Sequence, residues 1–327
     1  WQAKEEGRDE RPLFESDFLL GVFDGHRMGG LRFKLNQDGP FLNDHKKMAT
    51  PPWTSLRELE QASLQLERHD AMNDPEYYHW LSLLIDPGSS LGGARPKASV
   101  VDDQGHLWIA KFPSSSDDKN VGAWEMVLHQ LAIACGIQVS EARLQKFSSK
   151  HATFLSKRFD RTKNQRRIHF ASALTLLGLQ DGADYLEGVG YLDLVAFVMK
   201  NSPQAKEDLE QLWRRIAFNM MVSNTDDHLR NHGFILTNNG WRLSPAYDMN
   251  PNEMGHGLTL NISESSNDLD LSIALETAHW YQLKRDRAER ILKEMQLEIS
   301  LWRTVAKKHG ISHSEIEQTK RAFRLVE

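Results

Sequence analysis

Asp226 and Asn231 stand five positions apart on the polar stretch Asn224-Thr225-Asp226-Asp227-His228-Leu229-Arg230-Asn231. That spacing suits phosphoryl transfer, in which the Asp orients or deprotonates an attacking hydroxyl and the Asn holds a magnesium ion. Such chemistry needs a second metal carboxylate, because phosphate charge has to be neutralised from the side facing the nucleotide. Asp248, in Ser244-Pro245-Ala246-Tyr247-Asp248, is the candidate. Between the two, residues 234–237, the turn Asn238-Asn239-Gly240 and residues 241–243 read as a tight hairpin with Asn231 and Asp248 at its two ends. Asp, His and Asn also make turns and cap helices, so this spacing alone is a weak signal.

The elements that must position these residues follow from the rest of the chain. Residues 1–16 are charged and aperiodic and read as a loosely held arm. Short apolar runs at 18–23 and 31–35, separated by Gly29-Gly30, suggest a small β subdomain, and helical spacing follows at 54–66 and 74–85. Gly88-Ser89-Ser90-Leu91-Gly92-Gly93-Ala94-Arg95-Pro96-Lys97 then precedes a hairpin over 98–112. A glycine-rich loop there can wrap phosphates with backbone N–H groups. It lacks the Gly-Lys-Ser/Thr of a P-loop and the dinucleotide fingerprint.

Lys111 lies in the apolar strand Trp108-Ile109-Ala110-Lys111-Phe112. A strand lysine reaching nucleotide phosphates, steadied by an acid on the next helix, is the kinase arrangement. The next helix is expected over 120–137, with Val121, Trp124, Leu128, Leu131 and Cys135 along one side, and Glu125 is placed to meet Lys111. An edge lysine in water and a solvated glutamate are the competing readings. Strands at 139–147 and 152–159 complete a mainly β nucleotide-facing lobe, with a hinge at 156–161. Backbone groups near Lys157 to Phe159 could hydrogen-bond an adenine edge there, which requires no distinctive side chain. The many Lys and Arg residues at 143–167 read as a solvated face, a phosphate- or DNA-facing surface being the sharper alternative. Beyond Phe170, helical spacing at 192–199, 208–222 and 286–308 marks a second, helical lobe. A last helix at 312–326 opens on a capping box at Ser312 and Glu315.

Composition sets the bounds. A chain of 327 residues is too long for one small core. Forty per cent hydrophobic and 26 per cent charged residues describe an ordinary soluble globular protein, and a net charge of −5 argues against non-specific nucleic-acid binding. The lone cysteine, Cys135, precludes an internal disulfide and reads as a buried, inert thiol. Neither a membrane span nor a signal peptide is legible, so a cytoplasmic protein is expected. Residue 1 is Trp, and the natural start is expected to lie outside the numbered chain.

Together, Gly92-Gly93-Ala94-Arg95-Pro96-Lys97, Phe159-Asp160-Arg161, Asn224-Thr225-Asp226-x-His228-x-x-Asn231 and Pro245-x-Tyr247-Asp248 closely resemble the HipA-like serine/threonine protein kinases. Gly29-Gly30-Leu31-Arg32-Phe33 resembles that family's small N-terminal subdomain. The resemblance implies an α+β, protein-kinase-like bilobal fold, with a mainly β N-lobe and a mainly helical C-lobe. The expected boundaries are 1–85 for the β subdomain and connecting helices, 86–160 for the nucleotide-binding lobe and 161–327 for the C-lobe. By resemblance, Asp226 is the catalytic Asp, Asn231 and Asp248 are the Mg²⁺ ligands, and Lys111 is the ATP-phosphate lysine. The same likeness makes Ser90 to Lys97 the phosphate loop (Ser90, Gly92, Gly93, Ala94, Arg95 and Lys97), with Glu125, Lys157, Phe159 and His228 completing the ATP site. It further implies autophosphorylation at Ser90 (or Ser89) that ejects the loop and switches the enzyme off. The implied partners are a HipB-like helix-turn-helix antitoxin, operator DNA through the antitoxin complex, and a translation-related protein substrate. The alternatives are a small-molecule kinase of the aminoglycoside or choline kinase type and a weakly active kinase-fold corepressor acting with a DNA-binding antitoxin.

Overall fold

The computed structural model describes residues 12, 14–42, 51–77, 80, 84 and 95–326. Its residues form two compact units. One contains the described residues up to Asp118 together with Gln145–Arg167, and the other Lys119–Leu144 and Ile168–Glu327.

In the first unit, helices α1 (Glu15–Gly21) and α2 (Leu56–Leu66) precede strands β1 (Lys97–Val101) and β2 (Leu107–Lys111). These join β4 (Thr153–Lys157) and β3 (Ala142–Gln145), the strand in which the division between the units falls, in an antiparallel-built sheet of order β1-β2-β4-β3. Trp108 and Ala110 alternate with Ile109 and Lys111, so one face of β2 is buried. That face meets Leu56 and Leu59 of α2, Val100 of β1 and Leu155 of β4 in a small apolar core, where Trp53 and Trp108 meet edge to face at 5.3 Å.

The sequence between Phe18 and Leu35 does not form the expected β subdomain. Residues 15–21 are helical, Asp24–His26 make a 3-10 turn, and no strand precedes Lys97 among the described residues. Irregular backbone is held there instead by arginines from the distant segment 158–167. Arg158 donates to the carbonyls of His26 and Arg27 at 2.7 and 3.1 Å, and Arg161 to that of Arg27 at 3.0 Å. Arg167 donates to the Arg27 carbonyl at 3.2 Å and also to that of Asp24. Asp160, fully buried, ties the clamp together: its carboxylate accepts from Arg158 at 2.9 and 2.7 Å, Arg161 at 2.6 Å and the Gly29 N–H at 2.8 Å. The solvated-face reading of 143–167 thus fails for Arg158, Arg161 and Arg167, whose guanidinium groups neutralise backbone carbonyls, and holds for the exposed Lys163 and Arg166.

The second unit carries the large core. Helix α3 (Val121–Ala134) packs with α4 (Ala173–Leu177), α5 (Tyr191–Asn201), α6 (Ala205–Met221), α7 (Leu271–Thr277), α8 (Arg285–Ser300), α9 (Trp302–Lys308) and α10 (His313–Thr319) around one apolar cluster. The single helix expected at 286–308 breaks at Leu301 into α8 and α9. Cys135 is buried, and burial followed by the charge of Glu298 pushes its thiol up to about 12, as an inert thiol requires. Ser312 caps α10, its Oγ accepting from the Glu315 N–H at 3.2 Å, but Glu315 does not close a capping box. Its Oε1 instead accepts from the Asn120 N–H at 2.7 Å and from Trp124 Nε1 at 2.9 Å, pinning the start of α3.

A three-stranded sheet completes this unit. Strands β6 (Gly233–Thr237) and β7 (Gly240–Leu243) form the expected hairpin, with Phe234 opposite Leu243 and Thr237 opposite Gly240. Strand β5 (Phe170–Ser172) pairs with the other edge of β6. Among the described residues, no helix is long and apolar enough to cross a membrane.

Candidate active site

The loop that leaves α6 carries Asp226 and Asn231, and its course follows from three local devices. Val222 ends the helix, and Ser223 takes a left-handed φ of 50° that turns the chain. Ser223 Oγ donates to the Ala322 carbonyl at 2.8 Å, which anchors the turn. Asp226 and Asp227 then separate by environment: Asp226 is exposed, whereas Asp227 is buried.

Asn231 is brought back onto Asp226 by two bonds. Its N–H donates to the His228 carbonyl at 2.8 Å, and its side-chain Nδ2 donates to the Asp226 carbonyl at 2.9 Å. Committing the nitrogen in this way leaves Oδ1 as the acceptor of the amide. His228 is half-buried beside these residues, and its Nδ1 has no hydrogen-bond partner among the described residues.

Asp248 reaches the same region through the hairpin. The Ser244 N–H donates to the Gly233 carbonyl at 2.9 Å, extending the β6–β7 ladder, and Tyr247 Oη donates to the Arg230 carbonyl at 2.7 Å. Buried Arg215 of α6 holds the Ser244 carbonyl from beneath at 2.5 Å. Asp248 itself has φ 60°, a left-handed conformation that costs a non-glycine residue about 1 kcal/mol or more and persists only where the surroundings impose it. Gly233 is required at the junction: a Cβ there would lie 2.2 Å from the Phe170 ring.

Asp227 is the residue that the Asp-to-Asn spacing did not single out. Its Oδ2 accepts from Tyr191 Oη at 2.6 Å, Asn219 Nδ2 at 2.7 Å and His232 Nε2 at 2.8 Å. Burial alone would raise its carboxyl; the charge and hydrogen bond of His232, then Tyr191 and His228, outweigh burial and hold it below the usual carboxylate range. Tyr191 opens α5, Asn219 belongs to α6 and His232 precedes β6, so a single carboxylate joins two helices and the hairpin to the loop. Two adjacent aspartates before a histidine were the only sequence sign of it.

In the first unit, Lys97 of β1 and Lys111 of β2 are register partners, which places two positive side chains on one side of the strand pair. Arg95 makes a bidentate pair with Asp117 at 2.8 and 2.5 Å, so its guanidinium is already engaged in this structure. Lys157 ends β4 and Phe159 is half-buried just beyond it. Glu125, on α3 of the second unit, is buried rather than solvated. Ser89, Ser90, Gly92, Gly93 and Ala94 lie outside the described residues.

The donor chemistry fits the expected metal. Asn231 and Asp248 offer hard oxygen atoms, and among the described residues no group of three or more His, Cys, Asp or Glu is placed to enclose an ion. Magnesium takes one or two oxygens of this kind from a protein, with substrate phosphates among its further ligands.

The chain is similar to known proteins of one family. Residues 89–302 match the model of the HipA-like C-terminal domain family. The serine/threonine-protein kinase toxin HipA of Shewanella oneidensis is 28% identical over 232 residues, covering 62% of this chain and 51% of that protein. A Haemophilus influenzae protein described as an unconfirmed kinase is 27% identical over 179 residues, 49% of this chain and 52% of its own length. The chain thus spans about half the length of these curated relatives. Among solved structures, the complex of the Shewanella oneidensis MR-1 toxin-antitoxin system HipA, HipB and its operator DNA aligns with a TM-score of 0.57 at 17% identity, over 73% of this chain and 64% of that one. The architecture is accordingly α+β and protein-kinase-like.

Proposed function

The chain belongs to the family of HipA-like C-terminal domains, and from that premise we propose that it is an ATP- and Mg²⁺-dependent serine/threonine protein kinase acting as the toxin of a bacterial toxin-antitoxin module. The observation that carries this reading is the loop itself: an exposed Asp226 whose carbonyl accepts from the Asn231 amide at 2.9 Å, with Tyr247, next to Asp248, donating to the Arg230 carbonyl of the same loop at 2.7 Å.

In the proposed reaction Asp226 accepts a hydrogen bond from the acceptor hydroxyl, orients it toward the γ-phosphate and takes its proton. Its exposure suits that role, since a substrate side chain has to reach it. Asn231 and Asp248 would hold Mg²⁺, which when bound neutralises phosphate charge. Lys97 and Lys111 attract the phosphates, and backbone groups at Lys157 to Phe159 take the adenine edge. The glycine-rich loop with Ser90 (or Ser89) is the proposed site of self-modification. The partners proposed by analogy with the Shewanella oneidensis HipA, HipB and operator DNA complex are a HipB-like antitoxin and, through it, operator DNA. The protein substrate is an intracellular one, proposed to act in translation.

Growth of a bacterial host expressing the chain, compared with Asp226→Ala, tests the reading. A toxic kinase arrests growth and the variant does not. Arrest that survives Asp226→Ala, or operator repression with no arrest by either protein, overturns it in favour of a corepressor.

A further inference from the structure

Asp226 and Asp248 lie on separate segments, and the hairpin that joins them has its free turn at Asn238-Asn239, far along the chain from both. A second connection joins the two segments. Asn219 Nδ2 donates to Asp227 at 2.7 Å, and Asn219 Oδ1 accepts from Asn224 Nδ2 at 3.1 Å. Asn224 Oδ1 in turn accepts the Asn250 N–H at 3.0 Å. We propose that this buried relay, from Asp227 through Asn219 and Asn224 to the backbone of Asn250, is the positioning device that sets the loop carrying Asp226 and Asn231 against the segment carrying Asp248 and so builds the metal site.

The polarity of the relay supports the assignment. An ionised carboxylate only accepts hydrogen bonds, so Asn219 must turn its NH₂ toward Asp227 and its carbonyl toward Asn224. Asn224 must then turn its NH₂ to Asn219, which leaves its carbonyl for the Asn250 N–H. Each amide orientation is dictated by the preceding one, and the charge on Asp227 starts the sequence. Its ends adjoin the chemistry: Asp227 follows Asp226 directly, and Asn250 is two residues beyond Asp248. Asn219, Asn224 and Asp227 are all buried. Parallel rungs keep the two segments in register, with the Asn252 N–H donating to the Ser223 carbonyl at 3.0 Å and Asn252 Nδ2 to Thr225 Oγ1 at 2.8 Å. Gly255 closes against Thr225, where a Cβ would lie 2.4 Å from the threonine methyl.

The inference rests on the reading of this loop as a kinase site, and metal binding measured without turnover separates the two. Free Mn²⁺ is followed by electron paramagnetic resonance during titration of the whole chain in the presence of the non-hydrolysable ATP analogue AMP-PNP. Analogue binding without metal is measured alongside. Asn224→Ala removes both side-chain bonds, and the expected result is Mn²⁺ binding weakened about 10- to 100-fold, the usual cost of losing residues that orient metal ligands, with metal-free analogue affinity within about twofold of wild type. Asn224→Asp keeps the shape and the acceptor for Asn250 but loses the donor to Asn219, and is expected to fall between the two. Variants that melt earlier yet bind Mn²⁺ like wild type overturn the relay and leave the kinase reading intact. A wild-type chain that binds no Mn²⁺ with the analogue overturns the kinase reading and the relay with it.

Discussion

Replacing Asp160 by Asn removes the centre of the arginine clamp, and the structure fixes the size of the effect. The carboxylate accepts four hydrogen bonds, from Arg158 twice, Arg161 and the Gly29 N–H. An amide presents a donor toward at least one of these donors. With Asp160 neutral, Arg158 and Arg161 lose the carboxylate they pair with, and Asp24 is already paired with Arg32 and Arg167. Arg158 and Arg161 have side chains 1% and 6% exposed, so water cannot replace the lost partner. Breaking a buried ion pair by removing one member costs about 3–5 kcal/mol, as the surviving charge stays buried without compensation. At about 1.4 kcal/mol per tenfold, the Gly29 amide, now without its acceptor, should exchange with solvent about 100-fold faster or more. Hydrogen exchange followed by mass spectrometry over residues 24–33 reads this directly, with peptides from α6 as the internal control. Protection unchanged within about threefold would refute the reasoning and mean that the N-terminal segment is held by its own contacts.

Gly233→Ala forces a methyl group against the Phe170 ring, and a loss of about 1–3 kcal/mol is expected, read as a lower denaturant midpoint at unchanged slope. Glu315→Ala leaves the Asn120 N–H and Trp124 Nε1 without their acceptor and should cost about 1–3 kcal/mol, measurable as a drop in melting temperature. Asp160 and Asp227 are both held below the usual carboxylate range, in each case against the opposing effect of burial. Depressed folded-state values mean that their contribution is complete above the unfolded value of about 4 and is lost as pH falls through the lower folded values. Melting temperature is therefore expected to be flat from pH 7 to 5 and to fall steeply below about 4, with a shallower fall in Asp160→Asn.

What the sequence made legible was whatever depended on local pattern. The turn Asn238-Asn239-Gly240 between apolar runs announced its hairpin, and three- and four-residue spacing announced α3, α5 and α6 within a few residues. What it hid depended on partners far along the chain. Phe18 to Leu35 has the composition of short strands, but Arg158, Arg161 and Arg167 satisfy its carbonyls from more than a hundred residues away, so no strand partner is needed. A run of arginines looks the same in sequence whether it faces water or buried carbonyls. Asp226 and Asp227 are likewise indistinguishable by type, and only burial separates the exposed carboxylate from the structural one. Glu315 read as half of a capping box because Ser312 precedes it at the right spacing, and no local pattern could reveal Trp124 as its true partner.

The most direct test of the central claim is intact-mass spectrometry of the purified chain after incubation with Mg²⁺ and ATP, beside Asp226→Ala, with peptide mapping across residues 86–97. One added phosphate on Ser90 or Ser89, absent from the variant, is the predicted result. Wild-type protein that binds ATP yet gains no phosphate, or a variant that gains it equally, would contradict the assignment of Asp226 and of the loop that presents it.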